Sequence, residues 1–149
     1  MKQTRSLVDE LTIGSFQEVH DDPGDIDAVA VTRFVFCYGK VAWDAIDELD
    51  RLGAPVDVVR FEQLYPLRTE QMLAILQKYP NARELRWLQE EPENMGAWRF
   101  IEANTWRIKE QGYDLRHVAR VESGSPATGS KAIHDQELTD LMERTFRNL

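Results

Sequence analysis

Two adjacent carboxylates, Glu90 and Glu91, stand between an apolar run (Leu85 to Leu88) and a proline, within Gln89-Glu90-Glu91-Pro92-Glu93-Asn94-Met95-Gly96-Ala97-Trp98. A carboxylate pair can act as general acid and base when the two groups sit in different environments around one substrate atom. Pro92 pushes Glu91 away from helical geometry, which sets both carboxylates at the exit of a strand. Consecutive residues leaving a strand point to opposite sides, so Glu90 and Glu91 do not share a substrate atom. Two readings stay open. One carboxylate pairs at an interface while the other anchors the loop, or the run is a solvated acidic turn. No catalytic residue is assigned.

A second group of residues can hold an anion. In Tyr38-Gly39-Lys40 a glycine between strand and helix lets backbone amides approach a phosphate, and Lys40 adds charge. Arg60 can offer a two-pronged contact to a phosphate or carboxylate. Gly129 and Ser130 supply further amides near a helix start. The competing reading is that Arg60 pairs with Glu62, Glu90 or Glu91. One glycine falls short of a phosphate-binding fingerprint. His20, His117 and His134 lack ligand spacing, so no metal site is expected. His134, near the Gly129 loop, is the one histidine with a case for a site. No Ser-His-Asp or Cys-His arrangement presents itself.

These residues need elements to carry them. Arg33 to Cys37, Pro55 to Phe61, Arg83 to Gln89 and Leu115 to Val121 read as strands. Helices are expected at Val41 to Leu52, stopped by Gly53, and at Thr69 to Tyr79, with Thr69 as N-cap. Two more are expected at Asn94 to Gln111, ended by Gly112, and at Lys131 to Phe146. On the third helix, Trp98 and Trp106 are eight apart and share a face. Strict alternation of strand and helix predicts an α/β fold with a mostly parallel sheet and helices on both faces. One strand can run antiparallel at an edge. All the loops named above then leave the same sheet edge, where open α/β sheets bind ligands and partner domains can dock. Residues 1–30 read as a connecting arm, with a turn at Asp21-Asp22-Pro23-Gly24-Asp25, and residues 31–149 as the α/β domain.

The 149 residues suffice for one domain with a proper core. A net charge of −8 argues against nucleic acid and against an anionic membrane surface. No apolar run is long enough to span a bilayer, and no signal-peptide pattern opens the sequence. The single cysteine, Cys37, lies in an apolar run and reads as a buried thiol of a reducing compartment.

Four segments stand in a distinctive order: Phe36-Cys37-Tyr38-Gly39-Lys40, Val59-Arg60-Phe61-Glu62-Gln63-Leu64-Tyr65-Pro66-Leu67, the Glu-Glu-Pro run, and Ser125-Pro126-Ala127-Thr128-Gly129-Ser130. Over nearly its whole length the chain resembles the C-terminal domain of the thiamine-diphosphate-dependent, decarboxylating component of 2-oxoglutarate dehydrogenase. Arg5 to Asp22, containing Gly14-Ser15-Phe16-Gln17, resembles the stretch leading into that domain. The pattern departs at Tyr38, where a serine is expected, and at Val121, where a proline is expected after Arg120.

The resemblance implies a transketolase C-terminal-type fold that packs on an upstream pyrimidine domain and helps build a homodimer. It further implies a whole component that binds thiamine diphosphate and magnesium, decarboxylates 2-oxoglutarate in the tricarboxylic acid cycle and passes a succinyl group to a lipoyl carrier. The catalytic domains lie upstream, so this chain is expected to bind no cofactor and to be inactive alone. Its compartment would be the bacterial cytoplasm or the mitochondrial matrix. Some bacterial members bind a nucleotide or acetyl-coenzyme A effector near this domain, so a free-standing effector-binding module built on Gly39, Lys40, Arg60, Gly129 and Ser130 is the alternative. The interface is expected to include Tyr65, Pro66, Glu90, Glu91, Met95 and Trp98, with the apolar ones exposed.

Overall fold

A computed structural model describes residues 8–21 and 26–147. The chain runs α1 (Val8–Thr12), β1 (Val19–His20), β2 (Arg33–Tyr38), α2 (Val41–Leu52), β3 (Val56–Phe61), α3 (Thr69–Leu76), β4 (Glu84–Pro92), α4 (Trp98–Asn104), α5 (Trp106–Glu110), β5 (Asp114–Arg120) and α6 (Lys131–Phe146). The strands form a five-stranded sheet in the order β1-β3-β2-β4-β5. The pairs β3–β2, β2–β4 and β4–β5 are parallel, and only β1 runs antiparallel, on the free side of β3. The fold is therefore the expected α/β arrangement, with its antiparallel strand at the edge.

Side chains alternate across the pleat, and both faces are covered. Phe34, Phe36, Val59, Phe61, Leu85 and Trp87 pack on one face against Met72 and Leu76 of α3, Ile101 of α4 and Ile108 of α5. Val35, Cys37, Val58, Leu88 and Val118 pack on the other against Val41, Ala45 and Leu49 of α2 and Leu141 and Phe146 of α6. Buried on both sides, the central strands are mostly apolar, with Arg33, Asp57 and Gln89 the buried polar exceptions. Gly53 closes α2 in the left-handed conformation, φ 59°, donating its N–H to Leu49 O.

Several boundaries differ from the sequence reading. β4 continues three residues past Gln89, through a register shift between Leu88 and Pro92. Glu90 and Glu91 thus lie in the irregular end of the strand, before its exit. The long helix expected over 94–111 begins only at Trp98, because Gly96 takes φ +68°, and it breaks at Thr105. The Thr105 hydroxyl bonds back to Ile101 O, a local competitor of the helical ladder that bends helices. Trp98, before the break, is 3 % exposed and Trp106, after it, 58 % exposed, so the two do not share a face. Thr69 is the first helical residue of α3 rather than its cap; Arg68 holds the cap position without a side-chain bond. That helix also stops at Leu76, short of Tyr79, whose ring instead stands edge-on to Phe34.

Of the arm expected over 1–30, residues 1–7 and 22–25 lie outside the described residues, and with them most of the turn expected at 21–25. The described remainder is tied to the domain. Glu18 O accepts the Glu62 and Gln63 amides, the Glu18 carboxylate pairs with Arg68 at 2.8 Å, and Lys78 pairs with Asp21 at 2.5 Å. Among the described residues no helix is long and apolar enough to cross a membrane.

Candidate functional site

The acidic loop is organised by a residue that sequence reasoning passed over, Gln89. Its side chain is fully buried at the end of β4. Its Nε2 donates to Met95 O at 2.8 Å and Pro92 O at 3.1 Å, while its Oε1 accepts the Trp98 amide at 2.9 Å and Trp87 Nε1 at 3.2 Å. The Trp98 amide is one of the unsatisfied donors that open α4, so Gln89 caps this helix from the neighbouring strand. The signal in the sequence was a polar side chain directly after an apolar run, a position that only a satisfied amide can occupy.

Tyr38 stands where doubly wound sheets bind ligands. After β2 the chain crosses to the α2 face, and after β4 to the opposite one, so the switch-point crevice opens between these two strands. The Tyr38 ring fills it, stacked on Trp87 with centroids 5.7 Å apart. A Cβ built on Gly96 would lie 2.9 Å from the Tyr38 hydroxyl and 3.0 Å from Gln89 Nε2, so this turn is closed to any larger residue. Burial, and next the nearby Glu91 carboxylate, push the phenol well above the ordinary tyrosine range. Burial likewise pushes the Cys37 thiol up to about 12.

Two clefts flank the loop. A polar cleft of about 580 Å³ is lined by Glu90 and Glu91 on one side and by Arg120, Gly129, Ser130 and His134 on the other. Arg120 is nearly buried; its Nη2 lies 2.8 Å from His134 Nδ1 and its Nε 3.3 Å from Glu137. Arginine only donates, so Nδ1 accepts and the His134 proton sits on Nε2. An apolar cleft of about 430 Å³ is lined by Tyr38, Leu64, Tyr65, Gly96, Ala97 and Phe100. Tyr65 is 82 % exposed, its ring edge-on to Phe100 at 6.2 Å.

The structure divides the anion-binding residues. Gly129 and Ser130 line the polar cleft, but Lys40 pairs with Asp44 at 2.5 Å. Arg60 pairs with Glu62 at 2.6 Å, lies over the Trp43 ring at 4.4 Å, and faces the arm residues Phe16, Gln17 and His20. These three sites do not converge on one ligand. Among the interface residues, Tyr65 and Pro66 are exposed, and Glu90, Glu91 and Met95 are partly buried. Trp98 corrects the expectation: it is buried, stacked on His117 at 4.6 Å, because Gln89 draws the start of α4 onto the sheet. His117 in turn lies 3.3 Å from Glu93. Among the described residues no three His, Cys, Asp or Glu side chains gather to hold a metal ion.

Residues 5–146 match the family described as 2-oxoglutarate dehydrogenase C-terminal. The chain is 36% identical over 149 residues to the 2-oxoglutarate dehydrogenase E1 component of Cupriavidus necator, covering 99% of this chain and 16% of that protein. It is 40% identical over 136 residues to the same component of Bacillus pumilus, covering 89% and 14%, and 36% identical over 138 residues to that of Bacillus subtilis, covering 90% and 15%. The chain therefore spans about 15% of the length of these relatives.

Proposed function

The chain belongs to the 2-oxoglutarate dehydrogenase C-terminal family, and from that premise we propose that it works as the C-terminal domain of a larger, thiamine-diphosphate-dependent E1 component. In that role residues 1–30 connect to upstream domains, and the strand-exit edge docks on them and contributes to a homodimer. The observation that carries this reading is the apolar cleft around the exposed Tyr65, on the edge where the motifs of the chain converge. Contiguous apolar surface of that kind marks an interaction site. The thiamine diphosphate and magnesium of such a component are expected on its upstream domains. Because these relatives come from bacteria, the location we infer for this chain is the bacterial cytoplasm.

The test is to incubate the purified chain with 2-oxoglutarate, thiamine diphosphate, magnesium and an electron acceptor. No turnover above the blank is expected, and turnover contradicts the reading.

A second reading, an effector-binding module, is supported by the polar cleft alone. There the amides at the start of α6, Arg120 and His134 Nε2–H face Glu90 and Glu91, a donor wall opposite an acceptor wall. Lys40 and Arg60 have no part in it. Calorimetric titration with AMP and with acetyl-coenzyme A decides it: heat that disappears in Arg120→Ala supports the module, and no heat at millimolar ligand sets it aside.

A further inference from the structure

Among the described residues the sheet has one long edge to which no strand is paired. β5 is the last strand on its side and runs for seven residues, whereas the opposite edge is the two-residue β1. Along a strand, successive residues turn their N–H and C=O to opposite sides. The Asp114 amide donates to Arg83 O and Arg120 O accepts the Glu93 amide, both at 2.9 Å, so the even-numbered residues of β5 serve β4. Leu115, His117 and Ala119 therefore turn their backbone groups outward. Arg144 Nη2 donates to Ala119 O at 2.7 Å and occupies that end. The entry half of the strand stays open, with Asp114 and Arg116 exposed and Tyr113, Leu115 and His117 partly buried.

An open row of donors and acceptors is a template for another strand, and here the side chains select which one. A two-fold axis can bring β5 antiparallel to its own copy, and three registers let outward-facing residues meet. Centred on Arg116, the axis sets that arginine directly against its counterpart, two like charges face to face. Centred on His117, it calls on Ala119, which Arg144 already holds, and sets the buried Val118 against Arg116. Centred on Leu115, it lets Leu115 exchange both its hydrogen bonds with its counterpart, and Asp114 faces Arg116 of the second copy on each side of the axis. Asp114 and Arg116 lie two apart on one face and pair at 2.7 Å within the strand. Across the axis the four charges then alternate in sign. The strand complements itself in one register and repels itself in the next.

We propose that the entry half of β5 is a self-association surface, on which a second copy of this chain lays its own β5 antiparallel in the register centred on Leu115 and joins the two five-stranded sheets into one. The surface lies at the strand-entry end, away from Tyr65 and both clefts, so it stands or falls independently of docking at the strand exits. Residues 113–117 fall short of the roughly 20–30 residues a side of a standard interface, so the dimer is weak and forms only at high concentration. The net charge of −8 opposes it. At about 0.15 M salt, where the screening length is about 8 Å, that distant repulsion is damped more than the contact pairs are.

Sedimentation equilibrium of the whole chain at millimolar concentration, with amide exchange, is the test. The wild type should dimerise, and the Leu115 and His117 amides should exchange several-fold more slowly than in dilute chain. Asp114→Arg makes the edge wholly basic and Arg116→Asp makes it wholly acidic. Each variant alone should stay monomeric, while an equimolar mixture of the two should form a heterodimer. The double variant Asp114→Arg/Arg116→Asp should dimerise again, and Tyr65→Glu should dimerise as the wild type does. If either single variant fails to fold, the wild-type protection of Leu115 and His117 decides alone. The proposal is overturned if the wild type stays monomeric at millimolar concentration, or if protection falls on the strand exits rather than β5. It is equally overturned if the folded single variants dimerise as the wild type does, or if their mixture associates no better than either alone.

Discussion

Replacing Gln89 by leucine should be among the most damaging single changes in this domain. The leucine fits the volume, so the loss is one of hydrogen bonds. Trp87 Nε1–H and the Trp98 N–H both donate to Gln89 Oε1 in a buried setting, and neither has another partner in reach. Each buried donor left unsatisfied costs about 1–3 kcal/mol, so the pair costs roughly 2–6 kcal/mol. The carbonyls matter less, because Pro92 O also accepts the Met95 amide at 2.8 Å. A domain of this size has only about 5–15 kcal/mol in hand. With a urea m-value of about 2 kcal/mol/M, the unfolding midpoint should fall by roughly 1–3 M at unchanged m. Gln111→Leu, at an exposed position, is the control and should stay within about 0.5 kcal/mol. A Gln89→Leu midpoint equal to that of the control would falsify the role given to this amide.

Gly96→Ala should cost more than Gly39→Ala, although both glycines have positive φ. Each suffers the left-handed penalty of about 1–2 kcal/mol, but only the Cβ at 96 meets Tyr38 and Gln89, while that at 39 meets open space; equal denaturation midpoints would refute the contact. Arg33→Met should loosen the end of α6, since Arg33 Nη1 donates to Thr145 O at 3.1 Å and Arg147 O at 3.0 Å, and faster amide exchange confined to the last turn of α6 is the expected readout. Tyr38 and Cys37 both have folded-state pKa values raised above their unfolded ones. Their contribution is whole below the unfolded values, about 10 and about 8.5, and is lost as pH rises past them. The urea midpoint should therefore fall between about pH 8 and 11, less steeply in Tyr38→Phe/Cys37→Ala; identical slopes would count against the burial of these groups.

The sheet was legible because its signals are local. Strands buried on both faces read as apolar runs, and Gly53 marks a helix end by its conformational freedom alone. The site was less legible because its parts meet only in three dimensions. Glu90-Glu91-Pro92 reads as a polar exit, yet β4 carries it on through a register shift that no pattern announces. The start of α4 is set by Gln89, a residue nine positions upstream, so the helix signal from Asn94 onward misplaced it, and Trp98, expected at an exposed strand exit, lies buried. Thr105 looks helical until its hydroxyl turns back on Ile101. Arg60 pairs with Glu62, the alternative that the sequence already offered for it, whereas Lys40 reads as an anion ligand by charge but is claimed by Asp44, four residues away.

The central claim is that this chain is a domain whose strand-exit edge meets the rest of an E1 component. The direct measurement mixes it with the Bacillus subtilis 2-oxoglutarate dehydrogenase E1 component truncated before its C-terminal 15%, and follows association by light scattering and amide exchange. The account predicts a stable complex in which exchange slows at Leu64, Tyr65, Ala97 and Phe100, and in which Tyr65→Glu weakens binding. No complex, or protection confined to the α2 and α6 face, would contradict it.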